Sequence, residues 1–119
     1  VEELPTLLRG IESGEANPYA ILEDRRCHYV QCLAEGRRFY VEWRENYDIG
    51  TWKKFDHWRA QDRRRILALT GPDSRTGIPL DQEPELLTYS DTLRIFEAFL
   101  LGRSRPARYH WLNINDRLK

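Results

Sequence analysis

Asp56 and His57 adjoin, the one place in the chain where a carboxylate and an imidazole stand side by side. General acid–base chemistry needs such groups within hydrogen-bond reach of each other or of a substrate. Neighbours on an extended strand point to opposite faces, so these two do not pair directly if the segment is a strand. Glu42 and Glu45 fall on opposite faces of a strand for the same reason, which argues against a paired-carboxylate site. His28 and His110 sit in stretches that read as strands and are expected to be hydrogen-bonded structural histidines. The chain holds no G-x-S-x-G, no C-x-x-C and no Cys/His grouping with zinc spacing. No catalytic residue, metal ligand or cofactor is therefore expected, and the chain does not read as an enzyme.

Two other residue classes stand out. Arginines cluster at Arg25-Arg26, Arg37-Arg38 and Arg63–Arg65 among Tyr and Trp, a mixture suited to nucleic acid. A nucleic-acid footprint normally gives the domain a net positive charge. Here 19 acids balance 19 bases, so solvated sheet edges explain the clusters better and no nucleic-acid partner is expected. A small nucleic-acid-binding or regulatory domain is the alternative reading. The aromatics are the second class. Four Trp and six Tyr exceed what one small core can bury. Tyr and Trp left at a surface among charges of both signs are the material of protein–protein hot spots. Trp43 and Trp111 are assigned to the core. Tyr40, Tyr47, Trp52 and Trp58 are the candidates for exposure, with Glu42, Glu45, Asp48 and Asp56 as their acidic companions.

The elements that must position these residues follow from periodicity. Residues 3–13 read as a first helix with Leu4, Leu7, Leu8 and Ile11 on one face and Gly14 as its stop. Tyr19–Leu22 and Cys27–Ala34 read as strands, joined by the charged turn Glu23-Asp24-Arg25-Arg26. Glu35-Gly36 reads as a tight hairpin turn. Arg38–Arg44 alternates, with Phe39, Val41 and Trp43 on one side and Arg38, Tyr40, Glu42 and Arg44 on the other. In 46–65, Trp52, Phe55 and Trp58 recur every three residues. That spacing permits a helix, or one or two strands after a turn at Asp48-Ile49-Gly50; extended structure is preferred. Ile66–Leu69 reads as a short strand or helix end, and Thr70–Glu85 as a long loop. The closing segment holds a helix over 90–101, capped by Ser90 or Asp91. Leu93, Phe96, Phe99 and Leu100 form its stripe, with Ile95 beside it. Gly102 and Pro106 end that helix, and Arg108–Leu112 reads as a strand.

Length, 119 residues, fits a single domain spanning 1–119. No run approaches the roughly 20 apolar residues that span a bilayer, so no membrane partner is expected. Cys27 and Cys32 fall on opposite faces of the second strand and do not bridge each other. Two free thiols favour a reducing compartment, the cytoplasm. The fold expected is α+β: an antiparallel sheet with the N-terminal and C-terminal helices packed on one face.

The C-terminal segment resembles the immunity-protein-one family of bacterial polymorphic toxin systems. The residues that carry the likeness are Leu93-Arg94-Ile95-Phe96-Glu97-Ala98-Phe99-Leu100, then Gly102-Arg103-Ser104-Arg105-Pro106, then Trp111. The strand Arg38-Phe39-Tyr40-Val41-Glu42-Trp43-Arg44 is similar to the family's central "Y-V-E-Y-R"-like strand. Residues 46–85 show no match. The resemblance implies a cytoplasmic inhibitor bound to a cognate toxin domain, often a deaminase or nuclease, with no catalytic residues of its own. On this reading the partner-binding residues are Tyr40, Glu42, Glu45, Tyr47, Asp48, Trp52, Asp56 and Trp58, on the polar face of the central sheet and the adjoining 46–58 segment. Their carboxylates would mimic phosphate toward a basic groove.

Overall fold

The computed structural model describes residues 3–14, 17–49, 52–70 and 84–115. Five strands form one antiparallel sheet in sequence order: β1 (Tyr19–Glu23), β2 (Tyr29–Glu35), β3 (Arg38–Ile49), β4 (Trp52–Asp62) and β5 (Tyr109–Asn113). Helices α1 (Glu3–Ser13) and α3 (Tyr89–Leu100) pack together on one face, and α2 (Arg63–Thr70) follows β4 directly. The architecture is α+β, and the opposite face of the sheet carries no helix among the described elements.

Each element has a local cause. Leu4, Leu8 and Ile11 of α1 recur at helical spacing and are buried, whereas Leu7 is exposed. Gly14 ends the helix in the left-handed region, φ +81°. A two-residue loop, Gly36-Arg37, joins β2 to β3 with Glu35 opposite Arg38. Phe39, Val41 and Trp43 alternate into the core, facing Ala34, Cys32 and Val30 across the ladder.

The α3 cap differs from the sequence expectation. Thr88 is the N-cap, one turn ahead of Asp91, and the two form a reciprocal capping box. Asp91 also accepts from the Tyr109 hydroxyl at 2.7 Å, which ties β5 to the helix start. Burial disfavours the Asp91 charge, but the Tyr109 and Thr88 hydrogen bonds overcome it and hold the carboxyl below its usual range. The buried stripe is Thr92, Ile95, Phe96 and Ala98, with Phe99 packed at its margin. Leu93 is only half-buried and Leu100 is exposed, so the helix is rotated from the expected stripe. Gly102, at φ +71°, donates to Phe99 O while Arg103 donates to Ala98 O, a Schellman ending. Phe99 and Trp111 each meet Trp43 edge to face, at 5.2 and 5.9 Å between ring centroids.

Other boundaries shift too. Cys27 lies in the turn before β2, at φ +64°, and not in the strand; Cys32 is buried in β2, and both thiols are free. β3 runs five residues past Arg44, and residues 52–62 are a strand, so the aromatic spacing in this stretch is not helical. Ile66–Leu69 belongs to a helix because the chain turns at Asp62, whose carboxylate accepts the Arg64 backbone N–H at 2.9 Å. Most of the loop expected over Thr70–Glu85 lies outside the described residues. Where the description resumes, Leu87 exchanges both backbone hydrogen bonds with Phe39.

Candidate partner-binding surface

The β3–β4 register decides which candidate residues share a face. Trp43 opposes Trp58, Glu45 opposes Asp56 and Tyr47 opposes Lys54; these are on the helix side of the sheet. Glu42 opposes Arg59, Arg44 opposes His57 and Asn46 opposes Phe55; these are on the open side. The eight expected residues therefore do not form one platform. Tyr40 and Glu42 are on the open face, while Glu45, Tyr47, Asp56 and Trp58 are on the other. The cause is the period of two: Glu45 and Tyr47 continue the parity of Trp43 and not that of Glu42. Asp48 and Trp52 are placed by backbone register alone, opposite Lys53 and Ile49.

Glu42 sits at the centre of the open face and is committed to its neighbours. One carboxylate oxygen accepts from His57 Nε2 at 2.6 Å and from Gln31 at 3.1 Å. The other accepts from Arg59 Nη2 at 2.9 Å and Nε at 3.2 Å. Burial opposes the Glu42 charge, but His57 and Arg59 outweigh it and bring its pKa down to about 2. A carboxylate satisfied in this way is not a free phosphate mimic, which corrects the role expected of Glu42. His57 is 2% exposed, and its Nδ1 has no partner among the described residues. Asp56 faces away from it, as the strand reading requires. The Glu42–His57–Arg59 group is visible in the sequence only once the β3–β4 register is known. Beside it, Tyr19, Gln31, Leu33, Tyr40 and Arg59 line an open depression of about 370 Å³.

The helix-side group is different. Glu45 and Asp56 stand directly across the ladder from each other, a like-charge pairing that destabilises an isolated sheet. Glu45 accepts from Trp43 Nε1 at 3.2 Å and from the Tyr47 hydroxyl at 2.8 Å. That carboxylate is the main reason the Tyr47 pKa is raised to about 12. Asp56 accepts from Asn115 at 3.2 Å and Asn113 at 3.4 Å. Among the described residues neither carboxylate has a salt-bridge partner. Tyr47 is 39% exposed, and Trp58 is half-buried beneath Arg105, whose guanidinium lies 3.5 Å from the ring centroid.

This group sits at the root of an arm. β2 accompanies β3 only as far as Arg44, and β5 accompanies β4 only from Trp58. Beyond those points the strand pairing is between β3 and β4 alone, apart from the Ile114 N–H, which donates to His57 O. Side chains plug both open edges there. His28 Nδ1 accepts the Asn46 N–H at 2.8 Å, and Asn115 accepts the His57 N–H while donating to Phe55 O. The plugs stiffen the arm and block strand addition at its root. His28 is thus a structural histidine, as expected, whereas His110 is exposed on β5.

The arginine clusters do not join. Arg25-Arg26 lie in the β1–β2 turn, while Arg37-Arg38 and Arg63–Arg65 lie at the other end of the sheet. Asp62 pairs with both Arg64 and Arg65. Among the described residues no helix is long and apolar enough to cross a membrane, and no group of His, Cys, Asp or Glu could hold a metal ion. No protein-family model matches the chain, and no characterised protein or solved structure is significantly similar to it.

Proposed function

We propose that this chain is a non-catalytic binding protein, an immunity protein that neutralises a cognate bacterial toxin domain in the cytoplasm. The observation that carries the reading is the Glu45–Asp56 pair, without an ion-pair partner among the described residues and flanked by Tyr47 and Trp58 at the root of a braced hairpin. Two opposed carboxylates cost stability in the free protein and gain it when a partner brings cations. A toxin that acts on nucleic acid carries a basic groove, and such a groove fits this patch. The flanking aromatics supply area at low conformational cost, and the plugged edges reduce what must be ordered on binding. The resemblance to the immunity-protein-one family points the same way. Tyr40 and Glu42, on the reverse face, are outside this contact.

The test is co-expression with the toxic C-terminal domain encoded by the neighbouring upstream gene. The expected result is rescued growth and a complex that survives purification. Growth rescue by a Glu45→Lys, Trp58→Ala double variant as good as wild type would refute the assignment of this surface.

A further inference from the structure

The reverse face of the same arm has the opposite character. Where β3 leaves β2, the β1–β2 turn folds beside it and encloses a depression of about 420 Å³, lined from this face by Arg26, Cys27, Arg44, Asn46 and Phe55 and bordered by the facing pair Tyr47 and Lys54 of the other parity. Its floor is fixed: the Asn46 backbone N–H binds His28, and the Asn46 side-chain amide donates to Cys27 O. Arg44 lies over the Phe55 ring, 3.8 Å from its centroid, and its Nε donates to Asn46 Oδ1 at 3.1 Å. Both anchors hold the guanidinium in place and leave its outer nitrogens for an incoming acceptor. The nearby Asp24 carboxylate is engaged by the backbone N–H groups of Arg26 and His28. Among the described residues, none of Arg26, Arg44 and Lys54 has a carboxylate partner.

We propose that this depression binds the phosphate group of a small nucleotide-like ligand. Arg26 and Arg44 hold the oxyanion, and the Arg44–Phe55 stack offers a flat surface to the base. Two forked guanidiniums with a third cation at the rim match a phosphate dianion better than a single carboxylate. A guanidinium plane held on a ring is a stacking surface for a base. The volume is that of a small-molecule site. The chain's zero net charge and its separated arginine clusters favour a small ligand over a polynucleotide. Tyr47 borders both this depression and the toxin surface, whereas Arg44 and Phe55 belong to this face alone, so their substitution tests the depression separately.

The experiment is an NMR titration of the full chain with AMP, with inorganic phosphate and with a short oligothymidylate. Saturable shifts of the Asn46 side-chain amide and the Phe55 ring are expected with AMP, weaker ones with phosphate, and no gain per phosphate with the oligomer. Arg44→Ala should weaken AMP at least about tenfold, the scale of one lost charge-assisted contact. Phe55→Leu should weaken AMP while sparing phosphate. Arg44→Lys, which keeps the charge without the fork, should fall between wild type and Arg44→Ala. Trp58→Ala should leave AMP binding unchanged, which separates this site from the toxin surface. The proposal is overturned by absence of saturation with AMP, by wild-type affinity in Arg44→Ala, or by binding that appears only with the oligomer.

Discussion

Replacing Glu42 by Gln removes one charge and keeps the shape of the side chain. In the folded protein the Glu42 pKa is brought from 4.5 to about 2 by His57 and Arg59, against the opposing effect of burial. That difference of about 2.5 corresponds to about 3 kcal/mol, an upper figure because Arg59 is partly exposed and water screens its share. A carboxyl whose pKa is lower folded than unfolded binds fewer protons in the native state. Its contribution is therefore fully present above the unfolded pKa and disappears as pH falls toward the folded one. At about pH 3 more than half of it is gone. Urea denaturation of both proteins, at neutral pH and at about pH 3, measures this directly. Glu42→Gln should cost up to about 3 kcal/mol at neutral pH and clearly less in acid. An equal cost at both pH values would mean that Glu42 acts through packing and not through charge. A neutral-pH cost below about 0.5 kcal/mol would mean that the His57 and Arg59 contacts are no better than their exchange with water.

Phe96→Ala, at a fully buried position, should cost about 3–5 kcal/mol by chemical denaturation, whereas Leu100→Ala on the exposed side should cost less than about 1 kcal/mol. In the native protein Cys27 should react with a thiol reagent and Cys32 should not, because Cys32 is buried and burial pushes its pKa up to about 12; both should react on unfolding without reductant. With the toxin domain in hand, Tyr47→Ala and Trp58→Ala should each weaken binding by at least about 1–2 kcal/mol in calorimetry, and Tyr40→Ala should not, since it lies on the other face. Asp56→Asn keeps the acceptor for Asn115 and removes half of the like-charge pair. It should leave stability unchanged or raise it by up to about 1 kcal/mol, while slowing association and flattening its salt dependence in stopped-flow measurements.

What the sequence made legible was what local rules govern. Leu4, Leu8 and Ile11 repeat at helical spacing, Phe39, Val41 and Trp43 alternate, and Gly14 and Gly102 occupy left-handed stops. The antiparallel sheet, with α1 and α3 on one face, followed from those patterns. The misses came from competition between local signals. Three residues near α3 can cap a helix, and Thr88 wins because only Thr88 has an acid three positions later to close the box. Trp52, Phe55 and Trp58 fit a helix by spacing, yet β4 pairs along its length with β3, and the ladder overrides the period. The site failed for a longer-range reason. Glu42, His57 and Arg59 come together through a register that alternation within one strand does not reveal.

The same register yields an arm with two chemically distinct faces. Along β3 the order Arg44-Glu45-Asn46-Tyr47 sends cation and amide one way, carboxylate and phenol the other. Along β4, Phe55-Asp56-His57-Trp58 answers with ring and imidazole on the first side, carboxylate and indole on the second. The pairs Arg44–His57, Asn46–Phe55 and Glu45–Asp56 keep the two sets apart, with Lys54 standing opposite Tyr47 on the acidic side, and a one-residue slip of β3 would mix the sets and expose Trp43. His28 and Asn115 prevent that slip by hydrogen-bonding backbone groups where β2 and β5 stop. Glu45 and Asp56 oppose each other across the ladder, held by hydrogen bonds but by no ion pair among the described residues, while side chains close the edges beside them. A protein selected for stability alone would relieve the first before investing in the second. The combination fits a hairpin selected to present charge on a fixed frame.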